Sequence, residues 1–555
     1  MKILAKENTF SVVTRDGTAG LFLKKTSITE IMNFFRPERP EEIALARVDS
    51  ELRSLNEMLE EDCLIDWIPL RSPGGWRAYQ MTLCLILIRA AAECVPAEPL
   101  VIDHSIGKGF YCELKSGRRA GRWKTRGIRR RMKEIIQSND PIDPLQLPRG
   151  EVEALLERLG PCGSGFVENG SSQVTMAKCG GAVELFDTPL LPGTGRILAW
   201  DLIPWNSGMI LRFPDEKNPE ALSPFEPVRK LFRVFRESGE WEKIQGIRYA
   251  ADLNRIVSTG AAPDLIRIAE GLHEKKIARV ADAITKKRRR RRVILIAGPS
   301  SSGKTTFTKR LDIQLRVNGL RPIMISLDDY FLDREKTPVG EDGKPDYEAL
   351  GAIDIARFNG DLEDLMEGGE VELPRYDFAT GRRAAGLKTR IETGHPILIE
   401  GLHALNDRLT EALPEAAKFR IYVSALTQLN LTDHLRVPTS DIRFLRRLIR
   451  DAQFRNHSAL DSLATWPMVR RGEDKYIFPF QERSHIIFNS ALSYEPSILR
   501  SFAEPLLERT PGSHPDFPEA RRLLRLLRSF TPIPSIQVPP TSILREFIGG
   551  SSFTY

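Results

Sequence analysis

The stretch GPSSSGKTT, Gly298 to Thr306, decides the fold of this chain of 555 residues. It follows a short apolar run, Val293 to Ala297, and precedes a run with helical character, Phe307 to Val317. A strand, a glycine-rich turn and a helix in this order are the context in which GxxxxGK[ST] forms a phosphate-binding loop. The alternative is a Gly/Ser-rich surface turn, but the coincidence of strand, loop, Lys and Thr argues against it.

The groups of this loop predict how a nucleoside triphosphate and its metal ion are held. Gly298 and Gly303 let the backbone curl, so that its N–H groups and the positive end of the following helix form a cradle for phosphate oxygens. Lys304 is expected to reach the β- and γ-phosphates, and Thr305 to place its hydroxyl on Mg²⁺. The predicted nucleotide-binding residues are Gly298, Ser300, Ser301, Ser302, Gly303, Lys304, Thr305 and Thr306.

The length and composition indicate a multidomain protein of the cytoplasm. The length predicts about three or four domains, and the net charge of +7 suits polyanionic ligands, although a solvated basic surface is the commoner cause. None of the six cysteines forms a CxxC pair, so neither a disulfide framework nor a zinc site is indicated. The chain start lacks the apolar core of a signal peptide, and the most apolar run, Met81 to Ile88, is too short to span a bilayer.

Carboxylates follow two further strand-like runs downstream of the loop. From Arg292 to about Glu508 strands and helices alternate, which predicts a parallel sheet with ligands at the carboxyl ends of its strands. Asp328 comes directly after one apolar run, and Glu400 follows a later one. Because Mg²⁺ and an acceptor hydroxyl both need carboxylates beside the phosphate loop, this pattern predicts phosphoryl transfer.

The segments around these residues resemble the uridine kinase/phosphoribulokinase family, at GPSSSGKTTF, SLDDYF, RYDFATGRR, ILIEGLHAL and RFLRRLIRD. The resemblance implies an ATP- and Mg²⁺-dependent kinase in which Asp328 is the general base, with Asp329 as the adjacent alternative. It implies that Glu400 lies near Mg²⁺ with Thr305. A family histidine that contacts the base in uridine-cytidine kinases corresponds to Gly381, which leaves the acceptor open. The residues predicted to contact the acceptor are Asp328, Tyr330, Asp354, Tyr376 and Arg450.

Ser440 to Asn456 (SDIRFLRRLIRDAQFRN) is an arginine-rich segment with helical spacing. Four of its arginines recur at spacings of three and four, so three of them can share one face. By the resemblance this helix is a lid that lays arginines on the transferring phosphoryl group, whereas the alternative is a solvated basic helix. The four arginines are Arg443, Arg446, Arg447 and Arg450. The residues predicted to be catalytic are Asp328, Lys304, Arg443 and Arg446.

The first half of the chain carries two further resemblances. Thr26 to Phe35 predicts a helix, and Ala44 to Arg47 and Cys63 to Ile68 predict strands. With the stretch VDSELRSLNEMLEEDCLIDWI this pattern resembles a TGS domain, a small ubiquitin-like β-grasp module. The segments Leu100 to Leu114 and Cys179 to Gly195 resemble the second domain of threonyl-tRNA synthetase, which in many of those enzymes edits mischarged tRNA.

The residues of the editing site are replaced in that second region. The HxxxH pair of the family corresponds to Met81 and Leu85, and its CxxxH pair corresponds to Phe186 and Leu190. These apolar side chains cannot bind a metal or shuttle protons. The sequence therefore predicts a retained scaffold without editing chemistry.

The chain as a whole resembles one bacterial family of fused uridine kinase-like nucleoside kinases, with multidomain α+β and α/β architecture and a P-loop kinase built on a parallel sheet. The predicted parts are a TGS-like β-grasp domain (1–71), a threonyl-tRNA synthetase second-domain-like region with a degenerate editing site (72–215), a helical connector (216–290), a P-loop kinase-like domain (291–510), and a C-terminal helix with a docking tail (511–555).

Two classes of function follow from these patterns. The first is an ATP-dependent kinase that phosphorylates a small molecule, either the 5′-OH of a nucleoside such as uridine or cytidine or a non-nucleoside acceptor. The second is an RNA- or tRNA-associated ATP-binding regulator, motivated by the front half and by the basic segment Arg118 to Lys133 (RRAGRWKTRGIRRRMK). A solvated helix face explains that segment as well and is favoured. The sequence leaves homo-oligomer formation open.

Overall fold

The structure is a computed structural model that describes residues 8–115, 121–159, 173–287, 292–340, 343, 345–377, 380–411 and 413–555. Within these ranges, none of the helices combines the length and the apolar character that crossing a lipid bilayer requires. Five parts follow one another along the chain, and the fourth of them carries the predicted phosphate loop.

Residues 8–71 form a five-stranded mixed sheet with one helix. The sheet order is β2-β1-β7-β4-β5, with β1 and β7 parallel in the middle and the other neighbours antiparallel. Ser27 caps the helix through the backbone N–H of Glu30. The helix and two strands predicted here are present, within two residues of the expected bounds. The elements are β1 (Thr9–Thr14), β2 (Ala19–Leu23), β3 (Thr26–Ser27), α1 (Ile28–Phe35), β4 (Ile43–Val48), β5 (Glu51–Arg53), β6 (Met58–Leu59) and β7 (Cys63–Pro69).

The next part contains a four-stranded antiparallel sheet of order β13-β14-β9-β8 and a long helix, α2, that is buried on most sides. Met81, Leu85, Phe186 and Leu190, the residues that the sequence analysis matched to the editing pairs, pack together in one apolar cluster. The elements are α2 (Pro73–Cys94), β8 (Leu100–Ser105), β9 (Gly109–Leu114), α3 (Arg122–Ser138), β10 (Asp143–Pro148), α4 (Arg149–Leu159), β11 (Gln173–Cys179), β12 (Ala182–Glu184), β13 (Asp201–Trp205) and β14 (Gly208–Arg212).

Three helices connect this part to the kinase-like part: α5 (Arg229–Ile244), α6 (Ala250–Ser258) and α7 (Ala262–Thr285). The first begins at Arg229, after Pro227, and a proline disfavours helical backbone in the residue before it. All three helices lie within residues 216–290, for which a helical connector is predicted.

Residues 293–489 contain a five-stranded sheet of order β16-β19-β15-β20-β21, in which all neighbours are parallel. Every residue of the central strand β15 is buried, as expected for a strand covered on both faces. A two-stranded antiparallel hairpin, β17–β18, stands outside the sheet. The elements are β15 (Val293–Ala297), α8 (Lys304–Val317), β16 (Ile323–Ser326), α9 (Ile355–Glu367), β17 (Glu370–Asp377), β18 (Arg382–Arg390), β19 (Ile397–Glu400), β20 (Lys418–Ser424), α10 (Thr439–Phe454), α11 (Ala459–Tyr476), β21 (Ile486–Asn489) and α12 (Glu495–Glu508).

The C-terminal residues contain two more helices, α13 (Phe517–Arg528) and α14 (Arg545–Ile548). Ile543 and Phe547 are completely buried in the same apolar core as Ile294 and Phe307 of the parallel sheet and α8. The C-terminal segment therefore packs against the kinase-like part.

Candidate active site

The phosphate loop lies between β15 and α8, as predicted. Gly303 has a φ of +82°, and a Cβ on Gly298 would lie 2.0 Å from the carbonyl oxygen of Val423. Only glycine fits both positions, because one needs left-handed backbone and the other needs close approach. The buried hydroxyls of Ser301 and Ser302 have no hydrogen-bond partner among the described residues, so phosphate oxygens at this loop fit the groups present.

Two buried ion pairs hold the loop from its inner side. The Arg443 guanidinium donates to the Ser300 carbonyl at 3.1 and 3.0 Å, and its partner Glu473 accepts the Ser300 N–H at 3.0 Å. Arg446 pairs with Glu495 in the same way and donates to the Ser301 carbonyl at 3.4 Å. All four charged side chains are at most 2% exposed.

This arrangement changes the interpretation of the arginine helix α10. Arg443 and Arg446 reach the loop, but the structure places them beneath it and uses their donors on carbonyl and carboxylate oxygens. A direct contact of either side chain with a phosphoryl group stays a prediction, and their observed role is to hold the loop.

A hydroxyl and a carboxylate meet where two neighbouring strands end beside the loop. The Thr305 hydroxyl donates to Glu400 at 3.2 Å, and the Ser326 hydroxyl lies 3.5 Å from the same carboxylate oxygen. Burial, followed by the negative charge of Asp328, raises the pKa of Glu400 to about 7, while Lys304 and Thr305 act in the opposite direction.

These ligand types suit Mg²⁺, which prefers oxygen and keeps several waters or phosphate oxygens in its shell. No cluster of three or more His, Cys, Asp or Glu side chains suited to a metal occurs in the part of the chain that the structure describes. The oxygen atoms of Thr305 and Glu400 are of the type that this ion prefers, and their binding of Mg²⁺ stays a prediction.

Asp328 and Asp329 lie on a short helical turn after β16 and have different surroundings. Asp329 accepts the backbone N–H of Tyr376 at 3.1 Å, and burial together with the charge of Asp328 raises its pKa. Asp328 is half-buried, and its negative charge acts on Glu400. Asp329 is therefore bound to the β17–β18 hairpin, while the role of Asp328 as the general base stays a prediction.

Two of the side chains predicted to contact the acceptor have structural partners. Tyr330 is only 1% exposed, and its hydroxyl donates to Asp361 at 2.9 Å, which places it in the core. Asp354 caps α9 and accepts a hydrogen bond from Arg383 at 2.9 Å. Tyr376 is half-buried, with its ring 5.8 Å from that of Phe331.

Further arginines on the same side of α10, with Arg455 directly after the helix, supply cations that the sequence analysis did not select as catalytic. Arg447 donates to the Ser300 hydroxyl at 3.2 Å, and Arg447, Arg450 and Arg455 surround the carboxylate of Asp451 at 3.2, 2.9 and 3.7 Å. The charge of Arg450, followed by burial, lowers the pKa of Arg455 to about 10. Helical spacing predicts that arginines of α10 share one side of the helix. Only tertiary contacts show which of them bind the phosphate loop.

Glu348 is a further acidic group near the loop that the sequence analysis missed. Burial, followed by the charges of Glu473 and Asp328, raises its pKa to about 7, and Arg447 and Lys304 oppose this shift. It has no motif around it, so no local pattern could have identified it.

The basic segment Arg118 to Lys133 lies mainly on α3, apart from the part that falls outside the described residues. Its cations pair with carboxylates: Lys124 with Glu98 at 2.5 Å and Arg129 with Asp201 at 2.7 Å. These pairs agree with a solvated helix face, and nucleic-acid binding by this segment stays a prediction.

Comparison with known proteins agrees with the geometry of the site. The model of the phosphoribulokinase/uridine kinase family matches residues 293–494. A uridine kinase of Staphylococcus aureus is 31% identical over 197 residues, 35% of this chain and 86% of the relative. A uridine kinase of Deinococcus deserti is 28% identical over 207 residues, 37% of this chain and 91% of the relative. The solved phosphoribulokinase of Rhodobacter spheroides is 16% identical, with a TM-score of 0.26 over 36% of this chain and 70% of that one. The chain is a P-loop kinase that belongs to the phosphoribulokinase/uridine kinase family.

Proposed function

We propose that this protein transfers the γ-phosphate of ATP to the 5′-hydroxyl of a nucleoside such as uridine or cytidine. The observation that carries the proposal is that Thr305, Glu400 and Asp328 meet at one edge of the parallel sheet beside the phosphate loop. The two relatives named above are uridine kinases, which supports a nucleoside as the acceptor.

In the proposed reaction the acceptor oxygen attacks the γ-phosphorus, the bond to the β,γ-bridging oxygen breaks, and the hydroxyl proton passes to Asp328. Asp329 is a poorer base because the Tyr376 N–H already binds its carboxylate. Thr305 and Glu400 would hold Mg²⁺, which when bound neutralises charge on the phosphates. Lys304, which donates to the Pro299 carbonyl at 3.2 Å, would turn from the loop to the phosphates.

We assign stabilisation of the transferring phosphoryl group to Arg447, Arg450 and Arg455 in place of Arg443 and Arg446. The three side chains share one carboxylate, Asp451, and therefore carry a net positive charge next to the loop. Guanidinium groups suit a metaphosphate-like transition state because they keep their charge and offer fixed donors.

A second acceptor class, an anionic sugar phosphate, is supported by the surroundings of Gly381. This residue has a φ of +70°, and a Cβ there would lie 2.8 Å from Nε of Arg334. Arg334 therefore packs where the related uridine-cytidine kinases would have the side chain of their histidine. A guanidinium at this position favours recognition of a phosphate as readily as of a base.

The front half fits the domains that its sequence resembles, and we propose the same assignment. The order β2-β1-β7-β4-β5 with a parallel central pair supports a β-grasp module of TGS type. The apolar cluster of Met81, Leu85, Phe186 and Leu190 supports a synthetase-like region without editing chemistry.

The test is Mg²⁺- and ATP-dependent turnover with uridine, cytidine, ribulose 5-phosphate and pantothenate as separate acceptors. We expect turnover with a nucleoside, its loss in Lys304→Ala, and its retention in Lys388→Ala, which changes an exposed lysine on β18. Turnover with ribulose 5-phosphate alone would replace the nucleoside by the anionic acceptor. ATP binding without turnover on any acceptor would overturn the proposal.

A further inference from the structure

The first turn of α8 binds a carboxylate from the C-terminal part of the chain. The backbone N–H of Thr306 donates to Glu546 at 3.1 Å, and the Thr306 hydroxyl donates to the same carboxylate oxygen at 2.7 Å. The N–H groups at the start of a helix have no partner within the helix, so they form an anion site. In a phosphate loop these N–H groups are the ones that receive a nucleotide.

The residues around Glu546 fix its position. Ile543 and Phe547 are fully buried, and a methyl group of Ile543 lies 2.4 Å from where a Cβ of Gly303 would be. The Arg446 guanidinium lies over the Phe547 ring, 5.1 Å from its centre. The backbone of α14 is thus part of the core, whereas the Glu546 side chain is half-buried and can turn away by rotation about its own bonds.

The last residue of the chain covers the same turn of α8. The Tyr555 hydroxyl lies 2.8 Å from that of Thr306, and the Lys309 ammonium lies 5.3 Å from the centre of the Tyr555 ring. Tyr555 is 54% exposed, so little packing opposes its displacement. Glu546 and Tyr555 together saturate the polar groups of Thr306.

We propose that Glu546 competes with the phosphates of the donor nucleotide for Thr306, so that ATP binds only after the carboxylate has moved away. This inference rests on the proposed use of ATP at this loop. One N–H cannot donate fully to a carboxylate and a phosphate together, and two anions at that distance repel each other. The negative charge of Glu546 also acts on Glu400, which places it within the electrostatic range of the predicted Mg²⁺ site.

Under this competition only molecules in which Thr306 is free bind ATP. The apparent affinity therefore equals the intrinsic affinity multiplied by the fraction of such molecules. Glu546→Gln keeps the size and one oxygen acceptor but removes the charge. Because hydrogen bonds to charged groups are stronger than those to neutral groups, we expect ATP to bind roughly tenfold more tightly. Tyr555→Phe removes the hydroxyl that lies 2.8 Å from that of Thr306 and 3.2 Å from that of Ser551, and it should tighten binding about threefold.

The experiment is calorimetric titration of the full-length protein with ATP and Mg²⁺, without acceptor. The variants are Glu546→Gln, Tyr555→Phe and Lys304→Ala, with Glu363→Gln on the exposed surface of α9 as the matched control. Tighter binding by Glu546→Gln and Tyr555→Phe, with no change in the control, supports the inference.

Equal or weaker ATP binding by both tail variants overturns it. Should Glu546→Gln fail to fold, Tyr555→Phe decides alone, since its side chain is exposed. If the wild-type protein binds ATP and Lys304→Ala does not, unchanged tail variants overturn only the role of Glu546. If none of the proteins binds ATP, the proposed function fails with it.

Discussion

Replacement of Arg446 by lysine distinguishes an arginine that holds the phosphate loop from one that acts on phosphate. Arg446 is completely buried, binds both oxygens of Glu495, and donates to the carbonyls of Ser301 and Ser490. Lysine keeps the positive charge but concentrates its donors on one nitrogen, which cannot span these acceptors. The variant therefore removes the geometry of the interaction while the charge remains.

The expected loss of stability follows from the contacts that lysine cannot replace. At least two charge-assisted hydrogen bonds disappear, each worth about 1.5–3 kcal/mol, so the free energy of unfolding should fall by about 3–6 kcal/mol. For a domain of about 200 residues this corresponds to a melting temperature lower by roughly 6–24 °C. Turnover of Arg446→Lys, measured well below its melting temperature, should fall less than turnover of a variant in which Arg447, Arg450 or Arg455 is changed.

Arg450→Lys, four residues further along α10, is the matched control. Among the residues that the structure describes, Arg450 pairs with the neighbouring Asp451, and its side chain is 14% exposed. We expect the melting temperature to change by about 2 °C or less and kcat to fall about 10²–10³-fold, as when a preorganised donor to a transition state is lost.

Differential scanning calorimetry and steady-state turnover with uridine measure both quantities. The reasoning would be refuted by an Arg446→Lys protein that melts like the wild type yet loses turnover to the extent expected of Arg450→Lys. That result would restore Arg446 to the catalytic role predicted from the sequence.

Two further predictions concern the carboxylates of the site. Asp328→Asn should lower kcat about 10²–10⁴-fold, because it removes the proposed proton acceptor, while the affinity for ATP in a binding titration stays nearly unchanged; full turnover would exclude the assignment. Because burial raises the pKa of Glu400 to about 7, and Mg²⁺ needs the ionised carboxylate, Mg²⁺-dependent ATP affinity should fall as the pH drops below about 7 and level off above it. Glu400→Gln should flatten this profile, and an unchanged slope would assign the titration to another group.

The phosphate loop and the strand-end carboxylates could be predicted because their information is local. GPSSSGKTT carries its own turn glycines, and the rule that ligands lie at the carboxyl ends of parallel strands places Asp328 and Glu400 without knowledge of the rest of the chain. The hydrogen bond between Thr305 and Glu400 confirms that these segments meet.

The roles of the arginines and of Tyr330 could not be predicted in the same way. Helical spacing shows that Arg443 and Arg446 share a face of α10. The carboxylates that pair with them come from α11, 30 residues after Arg443, and from the start of α12, 49 residues after Arg446. Tyr330 is adjacent to Asp329 in an aromatic motif, yet the short helical turn directs it to Asp361 in the core. The partner of Thr306 is 240 residues distant, beyond any motif.

These long-range contacts restrict how the predicted lid can move. The first half of α10 is joined to the loop by two buried ion pairs, and breaking either would cost about 3–5 kcal/mol because it leaves a buried charge without a partner. A lid that swings as a whole helix would have to break both. Movement is therefore confined to the segment that follows Arg446 by two to three turns, where α10 ends at Phe454 and Asn456 adopts left-handed backbone with a φ of +53°. Arg455 lies at that junction, so we expect the end of α10 to bring this cation toward the phosphates while its beginning keeps the loop in place.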